Sequence, residues 1–124
     1  MSVVYITNLH PDHDYQAATE FGALVPVTSG NYPVFQTQRM LEEIAEALRI
    51  SSADDFLLMS GSSVVASLCI AVWLAMHEQV NLLVFERKHG RQRYVVRTVA
   101  RSEILINVEL ARERQEVADG KADA

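Results

Sequence analysis

Residues 55–85, DFLLMSGSSVVASLCIAVWLAMHEQVNLLVF, decide the fold. A short apolar run, Phe56 to Ser60, meets a Ser/Gly turn, Ser60-Gly61-Ser62-Ser63, then an apolar run of helical length, then a second short apolar run, Asn81 to Phe85. This is a strand–turn–helix–strand unit, the core of an α/β domain. At the strand-to-helix turn, backbone N–H groups point outward and favour an anion. The helix, expected from about Ser62 to Glu78, has Val64, Val65, Leu68, Cys69, Val72, Trp73 and Met76 on one face. Ile70, Ala71, Leu74 and Ala75 leave it almost no polar face. Such a helix has to be covered on more than one side, and the second cover expected here is another subunit. A homodimer or higher homo-oligomer follows, C2 being the commonest arrangement.

Working outward, Val3-Val4-Tyr5-Ile6-Thr7 predicts a first strand over residues 2–7, and Asp14 to Gly22 a short helix. Ala23 to Val27 predicts a second strand that Pro26 confines to an edge. Between residues 36 and 50, Met40, Leu41, Ile44, Ala45 and Leu48 recur at helical spacing, with Arg39, Glu42, Glu43, Glu46 and Arg49 opposite. Downstream, Lys88-His89-Gly90-Arg91 predicts a hairpin turn, Gly90 taking positive φ, and Gln92 to Ala100 a fifth strand. Its alternation puts the arginines on one side with Val95 and Val99, and Tyr94 and Val96 on the other. Ser102 is expected to cap a last helix with Ile104, Leu105 and Val108 facing inward, and residues 118–124 to be a disordered tail. The fold class is therefore α/β, with one domain over residues 1–117. It is a two- or three-layer sandwich with a mixed sheet of about five strands, a parallel core plus a C-terminal hairpin, around a central buried helix.

A chain of 124 residues, 49% apolar and 22% charged, fits one soluble globular domain. No secretory signal is visible, and the longest apolar run, Val64 to Met76, is about five residues too short to cross a bilayer. Cys69, the only cysteine, lies inside that run and has no disulfide partner. A cytoplasmic protein without membrane contact is expected. The net charge of −5 conceals an uneven distribution: Arg87, Lys88, Arg91, Arg93, Arg97 and Arg101 follow one another with no acid between them. A local basic surface on an acidic protein suits a compact anionic ligand better than a long nucleic acid.

The loop Asn8-Leu9-His10-Pro11-Asp12-His13-Asp14 follows the first strand. His10, Asp12, His13 and Asp14 are residue types that bind Zn²⁺, but consecutive residues of a tight loop seldom converge on one ion, and a polar turn explains them. No metal and no cofactor is expected. The Ser60–Ser63 turn lacks the G-x-S-x-G of a nucleophile elbow and the Gly-Lys-Ser/Thr of a Walker loop. It remains a cradle for phosphate or carboxylate, or simply the helix cap through Ser62 or Ser63. The arginine row is either an anion-binding face or a sheet edge protected by charge. Ligands of open α/β sheets collect beyond the carboxyl ends of the strands, so Arg97 and Arg101 are expected to share one hollow with the Ser-Gly turn.

In order along the chain, Val4-Tyr5-Ile6-Thr7-Asn8, the Gly-Ser turn leading into an apolar helix, and a strand pair ending Tyr94-Val95-Val96 with Arg101 near Glu103 resemble the small viral ring nucleases. These are anti-CRISPR homodimers, encoded by archaeal viruses and phages, that bind and cleave cyclic tetra-adenylate. The resemblance implies that Asn8 lines the ligand pocket, that Gly61, Ser62 and Ser63 meet phosphate, and that Arg101 and Glu103 act near the scissile phosphate. The chain departs from the pattern at Ser62, where that family has a catalytic histidine. A serine does not supply a proton as imidazole does near neutral pH, which leaves cleavage open, with His10 or His13 as substitutes. The expected function is a phage-type accessory, anti-defence protein of the host cytoplasm. It binds a phosphate-rich ligand, a cyclic nucleotide second messenger, and sequesters it or cleaves it without a metal. Expected binding residues are Asn8, His10, Ser60, Gly61, Ser62, Ser63, Arg97 and Arg101, with His10, Arg101 and Glu103 as catalytic candidates and Tyr5 or Tyr32 as a wall for a base. The alternative is a non-enzymatic module that binds a host protein through the apolar helix and the acidic helix 36–50.

Overall fold

The computed structural model describes residues 1–30 and 35–123, with side chains through Gly120. Its strands are β1 (Val3–Leu9), β2 (Ala23–Ser29), β3 (Phe56–Leu58), β4 (Gln79–Lys88) and β5 (Arg91–Ala100), and its helices α1 (Thr37–Leu48), α2 (Ser63–Met76) and α3 (Arg101–Asp123). A short 3-10 turn covers Gln16–Glu20 where a short α-helix is expected. The strands form one sheet in the order β2-β1-β3-β4-β5. β1 runs parallel to β2 and β3, and β3 to β4, while β4 and β5 are an antiparallel hairpin. The mixed α/β sheet read from the sequence is thus present, and Pro26 does sit in an edge strand.

Alternation along β1 sends successive side chains to opposite faces. Tyr5 faces α1 and α2, in a cluster with Met40, Ile44, Leu48, Leu57, Val65, Cys69, Trp73 and Val80. Val4 and Ile6 face the other way, with Leu58, Leu83, Tyr94, Tyr15 and Ala18. Among the described residues, one face of the sheet therefore carries two helices, and the other the segment around the 3-10 turn. Each fully buried side chain of this size contributes roughly 1.5–3 kcal/mol. Leu68, Ile70, Val72 and Leu74 of α2 are partly buried against the first cluster, which also holds the apolar stripe of α1. α1 covers one side of α2, while Val64 and Met76 of α2 stay 41% exposed.

The parallel strands all end at the same, upper edge of the sheet. β5 runs the other way, pairing Arg91 with Lys88 at the top and Ala100 with Gln79 at the bottom. β4 pairs with β3 only over 81–83, so the upper half of the hairpin projects beyond β3. Its two-residue turn, His89 (φ 52°) and Gly90 (φ 76°), has positive φ at both positions, which matches the twist of the strands.

Arg101 follows β5 directly and lies at the lower end. Its N–H donates to Glu78 O at 2.7 Å, and its Nη1 donates to Leu74 O at 2.9 Å, near the C-terminus of α2. No turn separates β5 from α3, so the helix leaves the sheet instead of folding back. Ile104, Leu105 and Val108, expected to face inward, are 38%, 61% and 41% exposed. Ser102, expected as a cap, lies within the first turn, and residues 118–123 continue the helix where a tail is expected. Among the described residues, no helix is long and apolar enough to cross a membrane.

Candidate functional site

From β1 the chain crosses to β2 on one side, then returns through α1 to β3 on the other, so the strand order reverses between β1 and β3. Open α/β sheets bind ligands at such a switch point. Here the loops after β1 and β3 border a hollow of about 500 Å³ lined by His10, Asp12, His13, Met59, Ser60, Gly61, Phe85 and Tyr94.

Hydroxyls tie its floor together. The Thr7 hydroxyl donates to Ser60 O at 2.7 Å, and Ser60 N–H donates back to Thr7 Oγ1 at 2.8 Å. Tyr15 Oη lies 2.7 Å from Ser60 Oγ and accepts the His10 N–H at 2.9 Å. These bonds fix the ends of β1 and β3 against each other, each worth about 0.5–1.5 kcal/mol. Gly61 crosses above Asn8 at φ +81°, where an added Cβ would stand 2.7 Å from Asn8 Cβ and Nδ2. Only glycine fits that approach. Asn8 itself is buried, its Nδ2 donating to Gly30 O at 3.2 Å and its Oδ1 3.2 Å from Thr28 Oγ1. It is a pillar under the turn, not a lining residue. Ser62 Oγ accepts from Val64 N–H at 3.2 Å and caps α2, while Ser63 is exposed in the first turn.

The wall is aromatic. Phe85 and Tyr94 are a directly opposed pair across the hairpin, ring centroids 5.5 Å apart, and the His13 ring lies 4.8 Å from Tyr15 and 6.2 Å from Phe85. Tyr94 is 4% exposed, and among the described residues its hydroxyl is a buried polar atom with no hydrogen-bond partner. Burial, with Tyr15 and Asp14 nearby, raises its pKa above the ordinary tyrosine value, so it stays a neutral O–H donor. At the other boundary, His10 Nδ1 accepts the Asp12 N–H at 3.3 Å. Among the described residues, no three His, Cys, Asp or Glu side chains group closely enough to hold a metal ion.

Of the residues expected to bind, the structure brings His10, Ser60 and Gly61 to the hollow, with Ser62 and Ser63 at its α2 edge. It separates Arg97, Arg101 and Glu103. Because β5 is antiparallel, Arg101 stands at the opposite end of the sheet from the Ser-Gly turn, Glu103 follows it into α3, and exposed Arg97 donates to Val96 O at 2.9 Å. The basic residues at the upper end are instead Arg87, Lys88, Arg91 and Arg93. Of these, Lys88, Arg91 and Arg93 line, with His89, a second concavity of about 500 Å³. Tyr5 is no wall either: it lies 5.8 Å from Trp73 in the core, and Tyr32 falls outside the described residues. Phe85 and Tyr94 line the hollow instead, and counting three residues outward from either side of the Lys88–Arg91 turn would have paired them.

A mixed, mostly parallel five-stranded sheet with a concavity at its switch point defines an α/β protein. The chain belongs to the family described as Phage Pam3 gp32-like protein, whose model matches residues 2–99. It is therefore a phage protein, and the match spans β1 to β5 and stops short of α3. No curated protein and no solved structure matches the chain.

Proposed function

We propose that this phage protein has an accessory, anti-defence role: it binds a small ligand carrying a planar ring and phosphate, a cyclic nucleotide second messenger, in the hollow between β1 and β3, and sequesters it. The observation that carries this reading is Tyr94, which lines a hollow beside the N-terminus of α2 and whose buried hydroxyl has no hydrogen-bond partner among the described residues. A ring stacks against Phe85 and Tyr94, and the Tyr94 O–H donates to one of its acceptor atoms. Phosphate oxygens accept from the first-turn N–H groups of α2 that the Ser62 cap leaves unbonded. Arg87, Lys88 and Arg91 on the hairpin raise the positive potential at this end of the sheet and draw an anion in.

Sequestration requires no chemistry beyond these contacts. Cleavage through Arg101 and Glu103 has no geometry at this hollow, and His10 is the one catalytic candidate beside it. The test is a thermal-shift panel of cyclic di-, tri- and tetranucleotides on the full chain. A bound ligand at a hundred times its Kd stabilises by about 2.7 kcal/mol, a rise of several degrees. No shift with any of them would end the proposal, and turnover seen by anion-exchange chromatography would replace sequestration with cleavage and make His10→Ala the next variant.

A further inference from the structure

α3 leaves the sheet with apolar side chains in water on more than one side. Ile106, Leu110 and Val117 are 58%, 44% and 58% exposed, and a shallow groove of about 320 Å³ runs along Leu110, Glu113, Arg114 and Val117. Positions 106, 110, 113 and 117 recur at intervals of four and three, the seam spacing of paired helices. Glu109 and Glu116 flank the seam on one side, seven residues apart. Arg114 flanks it on the other, and the sequence places Lys121 seven residues after it. Among the described residues, Glu109, Arg114 and Glu116 form no ion pair.

We propose that α3 pairs in parallel with α3 of a second copy of this chain through the Ile106, Leu110 and Val117 seam. In a parallel pair each residue flanking the seam faces the residue five positions on in the other helix, so Glu109 meets Arg114 of the second copy, twice by symmetry. An antiparallel pair sets the Glu109 side against itself, carboxylate against carboxylate, and is disfavoured. A membrane surface is a poorer occupant, because helices that lie on anionic lipid carry a basic polar face. Here Glu103, Glu109, Glu113, Glu116, Asp119 and Asp123 outnumber Arg101, Arg112, Arg114 and Lys121. Glu113 stands inside the seam and weakens the pairing, which makes the dimer a dissociable one. This inference is independent of the ligand reading.

Sedimentation equilibrium on the full chain, from low to high micromolar concentration, should show a reversible monomer–dimer equilibrium built on the 13.9 kDa chain. Leu110→Lys should weaken the dimer at least about tenfold, Glu113→Leu should tighten it, and Glu109→Arg should weaken it about tenfold. Combining Glu109→Arg with Arg114→Glu should restore it. A monomer at every concentration, or a dimer indifferent to Leu110→Lys, would overturn the pairing. A dimer that Leu110→Lys breaks but the double charge exchange fails to restore would overturn the parallel register. All four side chains are on an exposed helix, so folding of the variants is checked by unchanged circular dichroism.

Discussion

Replacing Tyr94 with Phe removes one oxygen and leaves the ring against Phe85. A buried hydroxyl without a partner costs on the order of 1–3 kcal/mol of desolvation. Because Tyr94 borders a hollow, the lower end of that range applies, and Tyr94→Phe should stabilise the free protein by about 1 kcal/mol. For a chain of this length that is roughly 3–5 °C in Tm. Urea denaturation should show a higher midpoint at an unchanged slope. The same variant should bind the cyclic nucleotide about tenfold more weakly, since it loses one hydrogen bond. The pH dependence adds a sign. The folded pKa of Tyr94 is raised, so its contribution is fully present below the unfolded value near 10 and is lost as pH rises through the folded value. Above pH 10 the wild type should therefore fall further behind the Phe variant. A Phe variant less stable than wild type near neutrality, at the same slope, would mean the hydroxyl is already bonded in the free protein and would refute the reasoning.

Gly61→Ala should destabilise by about 2–3 kcal/mol, from the left-handed backbone and the clash with Asn8, read by the same denaturation. Arg101→Ala should cost about 0.5–1.5 kcal/mol through the lost bond to Leu74 O while leaving ligand affinity unchanged; weakened binding would return Arg101 to the site. Lys88→Glu with Arg91→Glu should slow ligand association at low salt and leave it nearly unchanged at high salt. Burial pushes the Cys69 thiol up to about 12, so a thiol reagent should label it only on unfolding. Its contribution to stability, intact below pH 9, should fall as pH rises from 9 to 12.

The strand–turn–helix–strand unit was legible because apolar runs of strand and helix length are separated by a turn of small residues. The hairpin was legible from Gly90 between two strand-like runs. The arginine face was misplaced for a related reason. A hairpin makes β5 antiparallel, which carries Arg101 to the lower end of the sheet and leaves Arg87, Lys88 and Arg91 at the upper end. Asn8 and Ser62 were legible as residues of the switch-point loops, but composition does not distinguish a lining side chain from a pillar or a cap. Tyr94 was hidden in a β-rich run, where an aromatic reads as core. Its unpartnered hydroxyl depends on what lies across from it in space. Ile104, Leu105 and Val108 of α3 were read as inward-facing because apolar spacing marks a face that needs cover without saying what covers it.

The most direct measurement is a ¹⁵N-resolved NMR titration of the full chain with the cyclic nucleotide that gives the largest thermal shift. The expected result is a set of saturating shifts at the amides of His10, Gly61, Ser62, Ser63 and Tyr94, with Arg97, Arg101 and Glu103 unmoved. Shifts gathered around Glu78 and Arg101, or none at the ends of β1 and β3, would contradict a ligand site at the switch point.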